Sequence, residues 1–399
     1  MGLNETVSAG RLHIGFFGMR NAGKSSLVNA VTGQNLSVVS DVKGTTTDPV
    51  KKAMELLPLG PVVILDTPGL DDEGELGLLR VQKAKEMLAT TDIAVLVVDA
   101  ARGIGEQDLL LRGELETRKI PFLVAYNKCD QCEKEPLADK NALYVSAKTG
   151  DGVEELKNRL GEFARSLKTE KFVVRDLLCA GDLVVMVTPI DEAAPKGRLI
   201  LPQQMVLRDI LDAHATAVVC QDTELPHTLA GLSKKPRMVI TDSQVFGKVA
   251  KDTPRDIPLT SFSILMARYK GDLATLVQGF AALKNLRDAD RVLIAEGCTH
   301  HRQCNDIGTV KMPGWIEGFT GVKPVYSFTS GGEFPDDLSE YKVIVHCGGC
   351  MLNEAAMKHR METAGSARVP IVNYGIAIAG MHGILARSLE LFPDILNLL

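Results

Sequence analysis

A mainly apolar stretch at 11–17 and blocks of consecutive apolar residues at 62–65, 93–98 and 122–126 alternate with stretches whose apolar positions recur every three to four residues, as at 106–118 and 153–167. The first pattern predicts strands buried on both faces and the second predicts amphipathic helices. Their alternation predicts an α/β fold: a mostly parallel sheet with helices on both faces. The charged stretch Lys168-Thr169-Glu170-Lys171 closes this run, so a first domain is expected over residues 1–168. The alternation resumes at Phe172, with strands at 183–187, 217–220 and 238–240, a helix at 203–214 and a loop containing Pro, Asp and Gly at 189–197. This second α/β domain, 172–267, has no clustered ligand residues and is read as a packing or oligomerisation unit. A third, 268–399, is expected from a helix at 272–286 and strands at 292–295, 342–345 and 370–373.

Composition narrows the classes. A chain of 399 residues with 45% hydrophobic and 24% charged residues is that of a globular protein of two or three domains. The net charge of −5 and the 5% aromatic content argue against nucleic acid as the main partner, which wants a basic face and stacking rings. No apolar run reaches membrane-spanning length, and the first residues carry no secretory apolar core, so a cytoplasmic protein is expected with no membrane partner. Eight cysteines in such a setting are free thiols rather than a disulfide framework. Cys179 and Cys220 are read as core residues, and the Cys129/Cys132 pair as incidental.

The first strand runs into Gly18-Met19-Arg20-Asn21-Ala22-Gly23-Lys24-Ser25, followed by Ser26, and then into a helix. This is the phosphate-binding G-x-x-x-x-G-K-S loop in the context it requires. Glycines let backbone N–H groups close on phosphate oxygens at a helix N-terminus. Lys24 is expected to reach the β- and γ-phosphates and Ser25 to bind Mg²⁺. Asp66-Thr67-Pro68-Gly69 follows a second strand; Asp66 can hold Mg²⁺ through water and the Gly69 amide can sense the γ-phosphate. Asn127-Lys128-Cys129-Asp130 and Ser146-Ala147-Lys148 select guanine: Asp130 accepts from its N1–H and exocyclic amine, and a backbone N–H of the second segment reaches its O6. In this order, on strand ends, the set reads as a GTP site.

These residues resemble the TrmE–Era class of GTPases, and the resemblance covers the first 165 residues or so. It implies a switch at Gly44-Thr45-Thr46-Thr47-Asp48, with Thr46 on Mg²⁺; Thr47 departs from the class, which often has Arg there. Lys24, Thr46 and Gly69 are the expected catalytic set; Leu70 follows the Asp-x-x-Gly motif, where the usual water-positioning glutamine is absent, and cannot orient water by hydrogen bonds. In the class, the residue at Asn21 helps hold K⁺ beside the phosphates, which implies slow, K⁺-stimulated hydrolysis.

A second site is written in Cys298-Thr299-His300 and His346-Cys347-Gly348-Gly349-Cys350. Both segments follow predicted strands, whose carboxyl ends share one edge of a parallel sheet. The second segment is also expected to open a helix whose positive end suits an anion. Cys298, Cys347 and Cys350, with His300 or His346, fit either structural zinc or an iron–sulfur cluster. A domain of this size needs no zinc staple, which favours the cluster. Cys304 is read as a spare loop thiol.

The whole chain resembles the GTPase maturation factors of [FeFe]-hydrogenase, on the strength of the paired cysteine–histidine segments behind a GTPase domain. The resemblance implies a [4Fe-4S] cluster on Cys298, Cys347 and Cys350, with His300 or His346 as a candidate fourth ligand. It further implies a homodimer or higher oligomer formed by the middle domain, a transient diiron precursor as cargo, radical-SAM maturases upstream and the apo-hydrogenase as recipient. The competing reading is a ribosome- or RNA-associated GTPase with a zinc site.

Overall fold

The computed structural model describes residues 10–34, 50–67, 86–167, 171–190, 199–297 and 306–399. The chain divides into two compact units, Met1–Thr169 and Glu170–Leu399.

The first unit is built on a six-stranded sheet: β1 (Leu12–Phe17), β2 (Val50–Leu56), β3 (Gly60–Asp66), β4 (Ile93–Asp99), β5 (Phe122–Asn127) and β6 (Ala142–Tyr144), in the order β2-β3-β1-β4-β5-β6. All neighbours are parallel except β2, which pairs antiparallel with β3 from Val50↔Asp66 to Leu56↔Gly60. The central strands are buried on both faces, hence their unbroken apolar runs. One face packs Phe16, Leu27, Val95 and Leu156, the other Phe17, Leu65, Leu96 and Leu115. Parallel pairing brings the ends of β1, β3, β4 and β5 to one edge, where Gly18, Asp66, Asp99 and Asn127 lie.

The second unit holds two four-stranded, wholly parallel sheets. The first contains β7 (Leu183–Val187), β8 (Thr216–Cys220), β9 (Met238–Thr241) and β10 (Leu259–Ser261), in the order β10-β9-β7-β8. The second contains β11 (Arg291–Ala295), β12 (Val325–Thr329), β13 (Val343–His346) and β14 (Ile371–Asn373), in the order β12-β11-β13-β14. One apolar core runs through both, from Val184, Met186 and Ile240 to Leu293, Ile344 and Val372, with the helices Phe262–Lys270 and Leu273–Lys284 contributing to it. The break expected near residue 268 thus lies inside a continuous core.

Arg387, on the helix Leu385–Ser388, ties the two sheets further. It donates to the carbonyls of Pro254 (2.9 Å), Arg255 (3.2 Å) and Ile257 (2.9 Å) and pairs with Glu390 at 2.5 Å. Cys179 is exposed and Cys220 half-buried, which corrects their reading as core residues. Among the described residues no helix is long and apolar enough to cross a membrane.

Candidate functional site

The phosphate loop owes its shape to two glycines. Gly18 has φ +139°, and a Cβ there would lie 2.2 Å from the Val97 carbonyl; Gly23 has φ +86°, and a Cβ would strike the Asn127 amide at 2.3 Å. Asn21 also sits in the left-handed region, φ 61°, with its side chain exposed; asparagine tolerates this better than most residues. Behind the loop, the buried Lys24 donates to the carbonyls of Gly18 (2.9 Å) and Met19 (2.8 Å). The Ser25 hydroxyl donates to Asp66 Oδ2 at 2.8 Å, which brings the two expected Mg²⁺-binding groups together.

The base-reading segments are cross-linked to this loop. Asn127, 1% exposed, donates through Nδ2 to the Ala22 carbonyl at 2.9 Å and accepts at Oδ1 from the Ala147 amide at 3.1 Å. That amide is one of the three expected to face guanine O6, and here it serves Asn127. The Ser146 hydroxyl donates to Asp130 Oδ1 at 2.7 Å, leaving the exposed Asp130 aimed by a fixed partner. Lys128, at φ 64°, pairs with Asp99 at 2.7 Å. Burial opposes ionisation of Asp99, but the Lys128 ammonium and the Ala101 amide together hold its carboxyl below the ordinary value. Thr45, Thr46 and Gly69 lie outside the described residues, as do Leu70 and both switch segments.

At the second site, Cys298, His300 and Cys304 likewise lie outside the described residues. Among the described residues no group of three or more His, Cys, Asp or Glu is placed to hold a metal ion. Cys347 and Cys350 follow β13 at the carboxyl edge of the sheet, free of disulfide and half-buried. The Cys347 sulfur accepts from the amides of Gly297 (3.0 Å) and Gly349 (3.3 Å). Gly297, the last described residue before Cys298, is thereby held against the Cys347 sulfur at the ends of β11 and β13. Amide donors of this kind favour a thiolate.

The segment does not open a helix, contrary to the expectation from sequence. The next helix begins at Glu354 and is capped by the Asn353 side chain. Gly349 turns the chain at φ +60°, and Lys270 claims the carbonyls that a helix would use. Lys270 Nζ donates to Gly349 (3.1 Å), Cys350 (3.0 Å) and Leu352 (2.6 Å). Burial lowers its pKa to about 8, against the pull of the Cys350 and Cys347 sulfurs and Glu354. Burial pushes the Cys350 thiol up, and a charged Cys347 adds to this while Lys270 opposes it.

His346 is fully buried, and both ring nitrogens are taken. Arg360 donates to Nε2 at 2.9 Å, so the ring proton sits on Nδ1 and donates to the Cys347 carbonyl at 2.6 Å. A metal-ligand role would require displacing Arg360, so the geometry fits His346 as a positioned neutral imidazole. Arg360, also buried, donates to the Gly331 carbonyl at 2.6 Å and lies 5.0 Å above the Phe334 ring. Nearby, the hydroxyl of the half-buried Tyr374 donates to Glu296 at 3.2 Å, and burial, then Glu296, pushes its pKa upward.

Lys270, Arg360, Glu296 and Tyr374 carry no motif. Lys270 ends an apolar helix and reads in sequence as an ordinary cation near a helix C-terminus.

Three family models match the chain. One, a 50S ribosome-binding GTPase, covers residues 13–128; the hydrogen maturase F dimerization domain covers 173–271; and the hydrogen maturase F tetramerization domain covers 274–391. Among curated proteins, the tRNA modification GTPase MnmE of Thiobacillus denitrificans is 33% identical over 36% of this chain and 32% of its own length. GTPase Der of Kosmotoga olearia is 32% identical over 37% of this chain and 38% of its own. The chain thus spans about a third of the length of these relatives. Among solved structures, Aquifex aeolicus Era bound to GDP and AlF4⁻ matches with a TM-score of 0.36 at 21% identity, covering 52% of this chain and 92% of its own.

Proposed function

Because the chain belongs to the hydrogen maturase F family, we propose that it is a GTP-hydrolysing scaffold that carries a [4Fe-4S] cluster and delivers a diiron precursor to apo-[FeFe]-hydrogenase. Its amino-terminal unit is a GTPase domain, and it carries dimerization and tetramerization domains. We assign the GTPase domain to 1–168, the dimerisation domain to 172–267 and the cluster-binding domain to 268–399.

In the GTP site, Lys24 neutralises charge on the β- and γ-phosphates, and the backbone N–H groups from Asn21 to Ser26 close around them. Asp130 and the 146–148 segment read guanine. Ser25, Asp66 and Thr46 would hold Mg²⁺, which supplies charge neutralisation at the transferred phosphoryl group. Thr45 and Thr46 belong to the switch, and Gly69 senses the γ-phosphate. With Leu70 where a water-positioning residue would stand, turnover is slow, and Asn21 would hold a K⁺ ion that raises it. Equal turnover in Na⁺ and K⁺ would count against that role.

The observation that carries the second half of the reading is the Cys347 sulfur. It accepts two backbone amides beside the segment leading to Cys298, at a loop seated on buried cations. Cys298, Cys347 and Cys350 would hold the cluster, which would supply a docking point for the diiron cargo. His300 stays a candidate fourth ligand, and His346 orients the loop. The radical-SAM maturases that make the cargo are the upstream partners. Iron and sulfide analysis with EPR on anaerobically reconstituted protein tests this. The expected result is a cluster lost on Cys347→Ala or Cys298→Ala; a colourless, zinc-loaded protein would overturn it in favour of a zinc-bearing GTPase.

A further inference from the structure

Buried basic side chains in this chain come with different kinds of partner. Arg387 has a carboxylate, Glu390. Lys270 and Arg360 do not: among the described residues neither forms an ion pair with an acid. All three ammonium protons of Lys270 go to carbonyl oxygens, of Gly349, Cys350 and Leu352. The donors of Arg360 go to the neutral His346 ring and to the carbonyls of Gly331 and Glu333. Both side chains are at most 5% exposed. A buried cation without a counter-charge is costly, so one is expected to arrive with whatever the site holds.

Both cations lie against the cysteine segment: Lys270 on the Cys350 carbonyl and Arg360 on His346, the residue before Cys347. Cys347 is the charge that favours the cationic form of Arg360, and Cys350 and Cys347 come before Glu354 in favouring that of Lys270. Glu354 is itself paired with Lys171 on the exposed side. The two cations therefore reach the 346–352 segment from two elements. One ends the helix Phe262–Lys270, and the other lies on the helix Glu354–Ser366.

From this arrangement we propose that Lys270 and Arg360 form a fixed cationic seat that raises the reduction potential of the metal core held beside it. The proposal rests on the cluster reading above. A zinc ion on the three thiolates and one neutral imidazole would carry a single negative charge that never changes, so such a seat would have no redox effect on it. A [4Fe-4S] core on three thiolates carries one negative charge, and two after it takes up one electron, so two nearby cations favour the reduced form. Lys270 and Arg360 are positioning residues: Lys270 holds the carbonyls of the loop that carries the ligands, Arg360 holds His346 just before it, and their effect runs through charge.

The test is a dithionite titration of the cluster, followed by EPR, in full-length reconstituted protein. Compared are the wild type, Lys270→Met, Lys270→Arg and Arg360→Met, with each fold checked by circular dichroism. Lys270→Met and Arg360→Met are expected to titrate at more negative midpoints than wild type, and to lose iron to a chelator several-fold faster. Lys270→Arg should stay close to wild type. Unchanged midpoints in both methionine variants at full iron content would overturn the proposal. If Lys270→Met assembles no cluster, Lys270→Arg decides: assembly supports a role for charge, and failure overturns it. A wild-type protein that binds zinc and forms no cluster would instead sink the reading on which the proposal stands.

Discussion

Asn127 joins the phosphate loop to the guanine-reading segments: its Nδ2 donates to the Ala22 carbonyl at 2.9 Å while its Oδ1 accepts from the Ala147 amide. A single amide side chain at the end of β5 therefore sets the spacing between the two halves of the nucleotide site. Asn127→Ala would leave a buried carbonyl and a backbone amide without their partner, at roughly 1–3 kcal/mol each. The expected outcome is a fall of more than tenfold in GTP and GDP affinity by calorimetry, with a lower melting temperature. An unchanged affinity would show that the cross-link is dispensable.

Gly18 makes a sharper case. Alanine there must tolerate both a positive φ and a Cβ 2.2 Å from the Val97 carbonyl, a backbone atom of β4 that cannot give way. Gly18→Ala should abolish nucleotide binding and cost roughly 1–3 kcal/mol of stability. Gly33 is the control: its φ is +65°, but nothing lies within 4 Å, so Gly33→Ala should cost only about 1 kcal/mol and leave binding intact. Urea denaturation and a binding isotherm separate the two.

The Asp99–Lys128 pair predicts a pH dependence. The carboxyl of Asp99 is held below the ordinary carboxylate value, so the folded state binds its proton less readily than the unfolded state. Its contribution, ~1 kcal/mol, is fully present above the unfolded value and is lost as pH falls through the lower folded value. Unfolding free energies measured from pH 6 downward should lose this component only below about 4. Asp99→Asn should flatten that part of the curve; an unaltered acid limb would dismiss the pair as a contributor.

His346 and its cysteine neighbours should part company on substitution. With Nε2 accepting from Arg360 and Nδ1 donating to the Cys347 carbonyl, His346→Ala should retain its iron while losing roughly 1–3 kcal/mol of stability. Cys347→Ala and Cys350→Ala should lose iron. Iron loss in His346→Ala equal to that in the cysteine variants would instead make the imidazole a ligand.

Arg387 predicts a joint failure. Arg387→Ala strips hydrogen bonds from three carbonyls of the 254–257 segment and should destabilise the second unit by roughly 2–3 kcal/mol. Since one core spans both sheets, hydrogen exchange should quicken together in β9 and β14. Faster exchange in β9 alone would mean that the two sheets fold independently.

Much of this was legible in the residues. Doubly buried strands advertise themselves as apolar runs, so β1, β3, β4 and β5 stood out, and the phosphate loop was fixed by Gly18, Gly23, Lys24 and Ser25 in the right context. The strand β2 was not, because Lys51, Lys52 and Glu55 break its apolar pattern at the edge of the sheet. The helix expected at Cys347 failed because three carbonyls of that loop serve Lys270, a residue 77 positions before it with no motif of its own. Convergence of Lys270, Arg360 and Tyr374 on one edge is a product of topology, which periodicity does not report.

The continuous core beneath β7–β14, locked by Arg387, has a mechanical corollary. A subunit that docks through its middle sheet cannot swing its cysteine loop on a hinge. Whatever distance separates two such loops in an assembly built on that sheet is cast once, at folding.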